Sequence, residues 1–117
     1  MPNIIVEYAD PVAERVNVGG LVEDLHRAAL NTGLFSPDAV KTRAYPCHTW
    51  LIGERENHST FVHVEAGILA GRSAEQKKQL SEALLAVLVA HCPAVFSMTV
   101  DIRDMDTQAF SKHTNDL

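Results

Sequence analysis

Hydrophobic positions along this chain switch between a period of two and a period near 3.6, and the switches predict its elements. Residues 3–8, Asn3-Ile4-Ile5-Val6-Glu7-Tyr8, read as a strand that Asp10-Pro11 closes. Leu21, Leu25, Ala28 and Ala29 then share one helical face, predicting a helix over 19–32 that stops at Asn31-Thr32-Gly33. Ala39–Tyr45 reads as a strand ended by Pro46, and Thr49–Gly53 as one arm of a short hairpin with Ser59–Leu69. In that long arm Phe61, His63 and Glu65 alternate with Val62, Val64 and Ala66. Ser73 with Gln76 matches a capping box, and Glu75 falls in the positive first turn of the helix that follows. Leu80, Leu84, Val87, Leu88 and His91 recur along it, and Pro93 lies beyond its end. Ser97–Arg103 alternates as a final strand, and the polar segment from Met105 reads as coil or a short helix.

This order is two β-α-β units in one domain spanning 1–117. The halves share an ending, Gly33-Leu34-Phe35-Ser36 against Ala94-Val95-Phe96-Ser97. Right-handed crossovers make the strands of each unit parallel, giving an α+β fold: a four-stranded sheet with both helices on one face. The other face is left bare. Periodicity leaves open which apolar set lines it, with Ile4 or Ile5, Val62, Val64, Val100 and Ile102 as candidates. A chain of 117 residues gains stability by burying such a face in an oligomer.

Composition narrows the partners. Hydrophobic residues make up 46% and charged residues 21%, as in soluble domains, and the net charge of −5 argues against a general nucleic-acid binder. Ala83–Ala90, the longest apolar stretch, is too short to cross a bilayer, and no signal peptide is visible, so a cytoplasmic protein is expected. Cys47 and Cys92 are far apart and read as small buried hydrophobes of a reducing compartment.

Few residues offer chemistry. If Met1 is excised, Pro2 becomes a free secondary amine at the end of a strand. Such an amine titrates near neutrality, and a dry cationic pocket would lower its pKa enough for general-base work. Arg72 stands at the start of a helix, where backbone N–H groups already favour anions, and its planar fork suits a carboxylate. Lys41 and Arg43, two apart on one strand, face the same side of the sheet. They suit either anion binding or edge protection. The six histidines show no metal-ligand spacing; His63 and His91 read as structural, and His58 as solvated in the loop 54–58. Trp50 reads as packing. No GxSxG, Walker or GxGxxG motif is present.

Met1-Pro2, Ile5-Val6-Glu7, Thr32-Gly33-Leu34-Phe35, Arg43, Thr49-Trp50, Phe61-Val62-His63 and Ala70-Gly71-Arg72-Ser73 appear in that order. Together they resemble the 5-carboxymethyl-2-hydroxymuconate isomerase family of the tautomerase superfamily, across nearly the whole chain. The resemblance implies the duplicated β-α-β fold, a homotrimer, and Pro2 as the catalytic base and then acid. It implies Arg72 as handler of a substrate carboxylate, Lys41 and Arg43 as substrate-binding residues, and no metal or organic cofactor. Lys41 stands where the family pattern carries an arginine, which keeps the charge and loses the planar fork. The implied reaction is keto-enol isomerisation of a 2-hydroxymuconate-type di- or tricarboxylate in bacterial aromatic catabolism. Two alternatives stay open at this point: another superfamily activity on a different unsaturated acid, including a dehalogenase-like one, and a non-catalytic trimeric ligand-binding protein.

Overall fold

The computed structural model describes residues 1–55 and 59–117. His58 lies outside the described residues. The strands are β1 (Asn3–Ala9), β2 (Lys41–Cys47), β3 (Phe61–Leu69) and β4 (Ser97–Met105); the helices are α1 (Val18–Asn31) and α2 (Ala74–His91). They form one sheet in the order β2-β1-β3-β4. β1 runs parallel to β2 and β3 parallel to β4, while β1 and β3 are antiparallel. This is the duplicated β-α-β arrangement that the pattern predicts.

The helices cover one face. α1 packs on α2 and β2, and α2 packs on β4. Ile4 and Val6 of β1 and Val62, Val64, Ala66 and Ile68 of β3 point into that layer and are buried against Leu21, Leu25, Ala29, Leu80, Leu84 and Leu88. The register puts Met98, Val100 and Ile102 of β4 on the same side. Period-two side-chain direction therefore sends Asn3, Ile5, Glu7, Lys41, Arg43, Phe61, His63, Glu65, Asp101 and Arg103 to the open face. Of the apolar candidates for the bare face, only Ile5 belongs there. That face is instead rich in charge: Arg103 Nε lies 2.7 Å from Asp101 and 3.9 Å from Glu65, and His63 Nδ1 meets Thr99 Oγ1 at 2.6 Å.

Three local expectations are corrected. Thr49–Gly53 makes no strand; the segment is pinned by Trp50 Nε1 donating to the Ser59 carbonyl at 2.9 Å, a side-chain tie in place of a ladder. β2 begins at Lys41, after a 3₁₀ turn over Pro37–Ala39, and runs through Pro46. β2 is an edge strand, where a proline's missing N–H is tolerated. A further 3₁₀ turn, Asp10–Glu14, follows β1 and buries Val12. Of the cysteines, Cys92 is buried and Cys47 only partly so; both are free thiols, and burial raises both pKa values.

The helix ends follow from their sequences. Asn17 caps α1 by accepting from the Gly20 N–H at 3.0 Å, a signal that the sequence reading did not single out. Ser73 and Gln76 form the expected reciprocal capping box on α2, with bonds of 3.1 and 2.9 Å. His91 in the last turn of α2 reaches Asp24 of α1 at 2.7 Å and ties the two helices together.

Candidate active site

The topology brings four chain segments to one end of the sheet. Because β1 and β3 are antiparallel, the starts of β1 and β2 lie beside the ends of β3 and β4. Pro2 precedes β1, Lys41 opens β2, Arg72 follows β3, and residues 106–117 follow β4. The Pro2 side chain is fully buried, and its carbonyl accepts from the Lys41 N–H at 3.1 Å. The ring is therefore fixed between the core and the first rung of the parallel ladder.

With Met1 attached, the Pro2 nitrogen is an amide without a basic lone pair. The terminal amine of Met1 donates to the Ala39 carbonyl at 3.0 Å, the same oxygen that Lys41 Nζ reaches at 3.4 Å. Burial, and then the positive charges of Lys112, Lys41 and Arg72, push the pKa of this amine below its ordinary value. Met1, Asn3 and Lys41 share a hollow of about 290 Å³ with Phe110, Ser111, Lys112, His113 and Thr114.

Arg72 is held more firmly than its position in the sequence suggests. Its Nη2 donates to the Leu34 carbonyl at 2.8 Å and its Nη1 to the Leu69 carbonyl at 3.3 Å. Its guanidinium also lies over the Phe35 ring, 4.9 Å from the centroid. Gly71 makes the turn possible, with a φ of 127° that a side chain rarely tolerates. A guanidinium carries five N–H donors, so the two carbonyl bonds fix its plane and leave donors over.

Lys41 and Arg43 share a face, as predicted, but only Lys41 lines the hollow. Arg43 turns to Asn3 and donates to its Oδ1 at 3.1 Å. Pro2, Lys41 and Arg72 are thus gathered at one end of the sheet, with Arg43 one step along the open face. Lys112 was missed: it lies in a segment with no periodicity, and only the fold brings that segment back to the N-terminus. Among the described residues no group of three or more His, Cys, Asp and Glu side chains converges as a metal site requires.

Comparison with known proteins places the chain in a family. A family model described as 5-carboxymethyl-2-hydroxymuconate isomerase matches residues 2–116. The 5-carboxymethyl-2-hydroxymuconate Delta-isomerase of Escherichia coli is 30% identical over 95 residues, covering 81% of this chain and 75% of that protein. A solved structure of a 5-carboxymethyl-2-hydroxymuconate isomerase from Deinococcus radiodurans R1 superposes with a TM-score of 0.88 at 27% identity, covering 97% of this chain and 90% of that one. A fused 4-OT symmetric trimer superposes with a TM-score of 0.75 at 12% identity, covering 95% and 93%, which is a likeness of fold.

Proposed function

This chain belongs to the 5-carboxymethyl-2-hydroxymuconate isomerase family of tautomerase-fold enzymes, and on that premise we propose that it isomerises 5-carboxymethyl-2-hydroxymuconate with Pro2 as its base. The observation that carries this reading is the convergence of a strand-end amine with Lys41, Lys112 and Arg72. Loss of Met1 turns the Pro2 nitrogen into a secondary amine, one residue further in than the amine these cations already face. Positive charge around an amine favours its neutral, basic form. Neutral Pro2 takes the proton from the substrate's 2-hydroxyl, and electrons shift through the conjugated system. The resulting ammonium returns a proton to a carbon of the chain, leaving the conjugated ketone and a neutral amine. Arg72, fixed by two backbone carbonyls and the Phe35 ring, stabilises the charge that builds on the 2-oxo group. Lys41 holds a carboxylate, and Arg43 supports the approach from the open face.

The working unit we propose is a homotrimer in the cytoplasm, acting in the breakdown of hydroxyphenylacetate-type aromatics. The trimeric tautomerase-fold neighbours support the assembly. The polar open face fits an interface rich in ion pairs better than a dry one. The direct test is turnover of 5-carboxymethyl-2-hydroxymuconate by protein lacking Met1, followed by ultraviolet absorbance beside 2-hydroxymuconate and other dienols. Fastest conversion of the tricarboxylate supports the reading. Absence of conversion with folded, processed protein overturns it.

A further inference from the structure

The geometry points to Lys112 as the residue that recognises the extra carboxylate distinguishing a tricarboxylate substrate from a dicarboxylate one. This rests on the isomerase reading above and names a specificity determinant within its site. A substrate with three carboxylates brings three negative charges to one end of the sheet. The other cations there are partly committed. Arg72 is bonded to two backbone carbonyls, Arg43 to Asn3, and Lys41 to the Ala39 carbonyl. Lys77 and Lys78 sit in ion pairs with Asp104 and Glu82, whereas Lys112 pairs with no carboxylate among the described residues.

Lys112 is also well placed. It lines the same hollow as Met1 and Lys41, in a segment that brings Phe110 with it. Its charge reaches the terminal amine more strongly than that of Lys41 or Arg72. A diene laid against Phe110 with its 2-hydroxyl at the amine would have Arg72 for the 2-oxo group and the carboxylate next to it, Lys41 for a second carboxylate, and Lys112 for the branch. Lysine suits that role, since a compact ammonium on a flexible stem can follow a carboxymethyl arm that rotates.

The test is calorimetric binding of two unreactive saturated acids to Met1-free protein: adipate, with two carboxylates, and pentane-1,2,5-tricarboxylate, which adds the branch. We expect wild type to bind the tricarboxylate about 10-fold more tightly, the scale of one charge-assisted hydrogen bond. Lys112→Met should abolish that preference, weakening the tricarboxylate about 10-fold more than adipate, and Lys112→Arg should restore most of it. Lys112 is exposed, so neither variant disturbs the core. The proposal is overturned if wild type shows no preference, if Lys112→Met keeps it, or if both acids weaken equally. A protein that keeps the Lys112-dependent preference but converts no dienol would sink the isomerase reading and leave this one standing.

Discussion

The guanidinium of Arg72 lies 4.9 Å from the centre of the Phe35 ring, across the seam between the two β-α-β units. The first unit supplies the ring and the Leu34 carbonyl, and the second supplies the cation. Neither unit can orient this arginine alone. The second half repeats the theme at its own end, where Arg55 stacks over Phe96 at 3.5 Å. Phe35 is buried, whereas Phe96 is half exposed.

Arg72→Ala should lower kcat/KM by about 10²-fold or more, the scale of removing one electrostatic stabiliser. Arg72→Lys should recover only part of the loss, since an ammonium cannot bond two carbonyls in one plane and still present a fork. Steady-state kinetics on the best dienol checks both; a wild-type rate in Arg72→Ala would remove this residue from the site.

Retention of Met1 should abolish activity, because the Pro2 nitrogen is then an amide. Homogeneous Met1-bearing and processed proteins, with matching circular dichroism, make the comparison. Equal rates would eliminate Pro2 as the base. Pro2→Ala, once processed, should keep a weaker primary-amine activity.

The pH profile has a defined sign. Burial, and then the charges of Lys112, Lys41 and Arg72, hold the Met1 amine below its ordinary pKa, and the same surroundings should lower that of a Pro2 amine one residue further in. The basic form is present above that pKa and is lost as pH falls through it. Hence kcat/KM should rise with pH through one ionisation and level off below the ordinary amine range. Removing a cation with Lys112→Met, or screening all three with salt, should move the inflection upward. An inflection that ignores both would show that these cations do not set it.

Sedimentation at micromolar concentration should give a mass near three chains. Reversal of charge at Arg103, to Glu, should weaken that assembly if the open face is buried in it, because Asp101 and Glu65 would then face a like charge. A trimer indifferent to Arg103→Glu would place the interface elsewhere.

Ser73→Ala should cost about 1 kcal/mol of stability, measured by urea unfolding at fixed protein concentration, through loss of one half of the capping box. It should leave the pH inflection in place. A large shift of that inflection would mean that the start of α2 touches the chemistry.

Much of the fold could be read from the sequence because its elements announce themselves locally. Ser73 and Gln76 mark a helix start, and Val62 to Ala66 mark a strand, whatever surrounds them. The direction of the sheet's faces is not local. Ile4 and Ile5 are chemically alike, and only packing of the helices decides that Ile4 is buried and Ile5 is turned away. The same holds for Thr49–Gly53, whose short apolar run suggests a hairpin arm until the Trp50 indole finds the Ser59 carbonyl. In the site, Pro2, Arg72 and Lys41 stood out by position or charge and by a family resemblance. Lys112 did not, since only the fold brings it to the hollow that Met1 lines.

The sheet carries a second position built like Pro2. The Pro2 carbonyl accepts from Lys41 N–H at 3.1 Å where β1 meets β2, and the Thr60 carbonyl accepts from Ser97 N–H at 3.2 Å where β3 meets β4. Antiparallel pairing of β1 with β3 puts these two positions at opposite ends of the sheet. Thr60, however, follows Ser59 in a continuous chain, and its nitrogen lone pair is delocalised into a peptide bond. With Pro2 as the proposed base, the two folding units of one chain therefore carry one reactive amine between them. The stoichiometry of an amine-directed covalent inhibitor would be one per chain, because the Thr60 end offers only a peptide nitrogen.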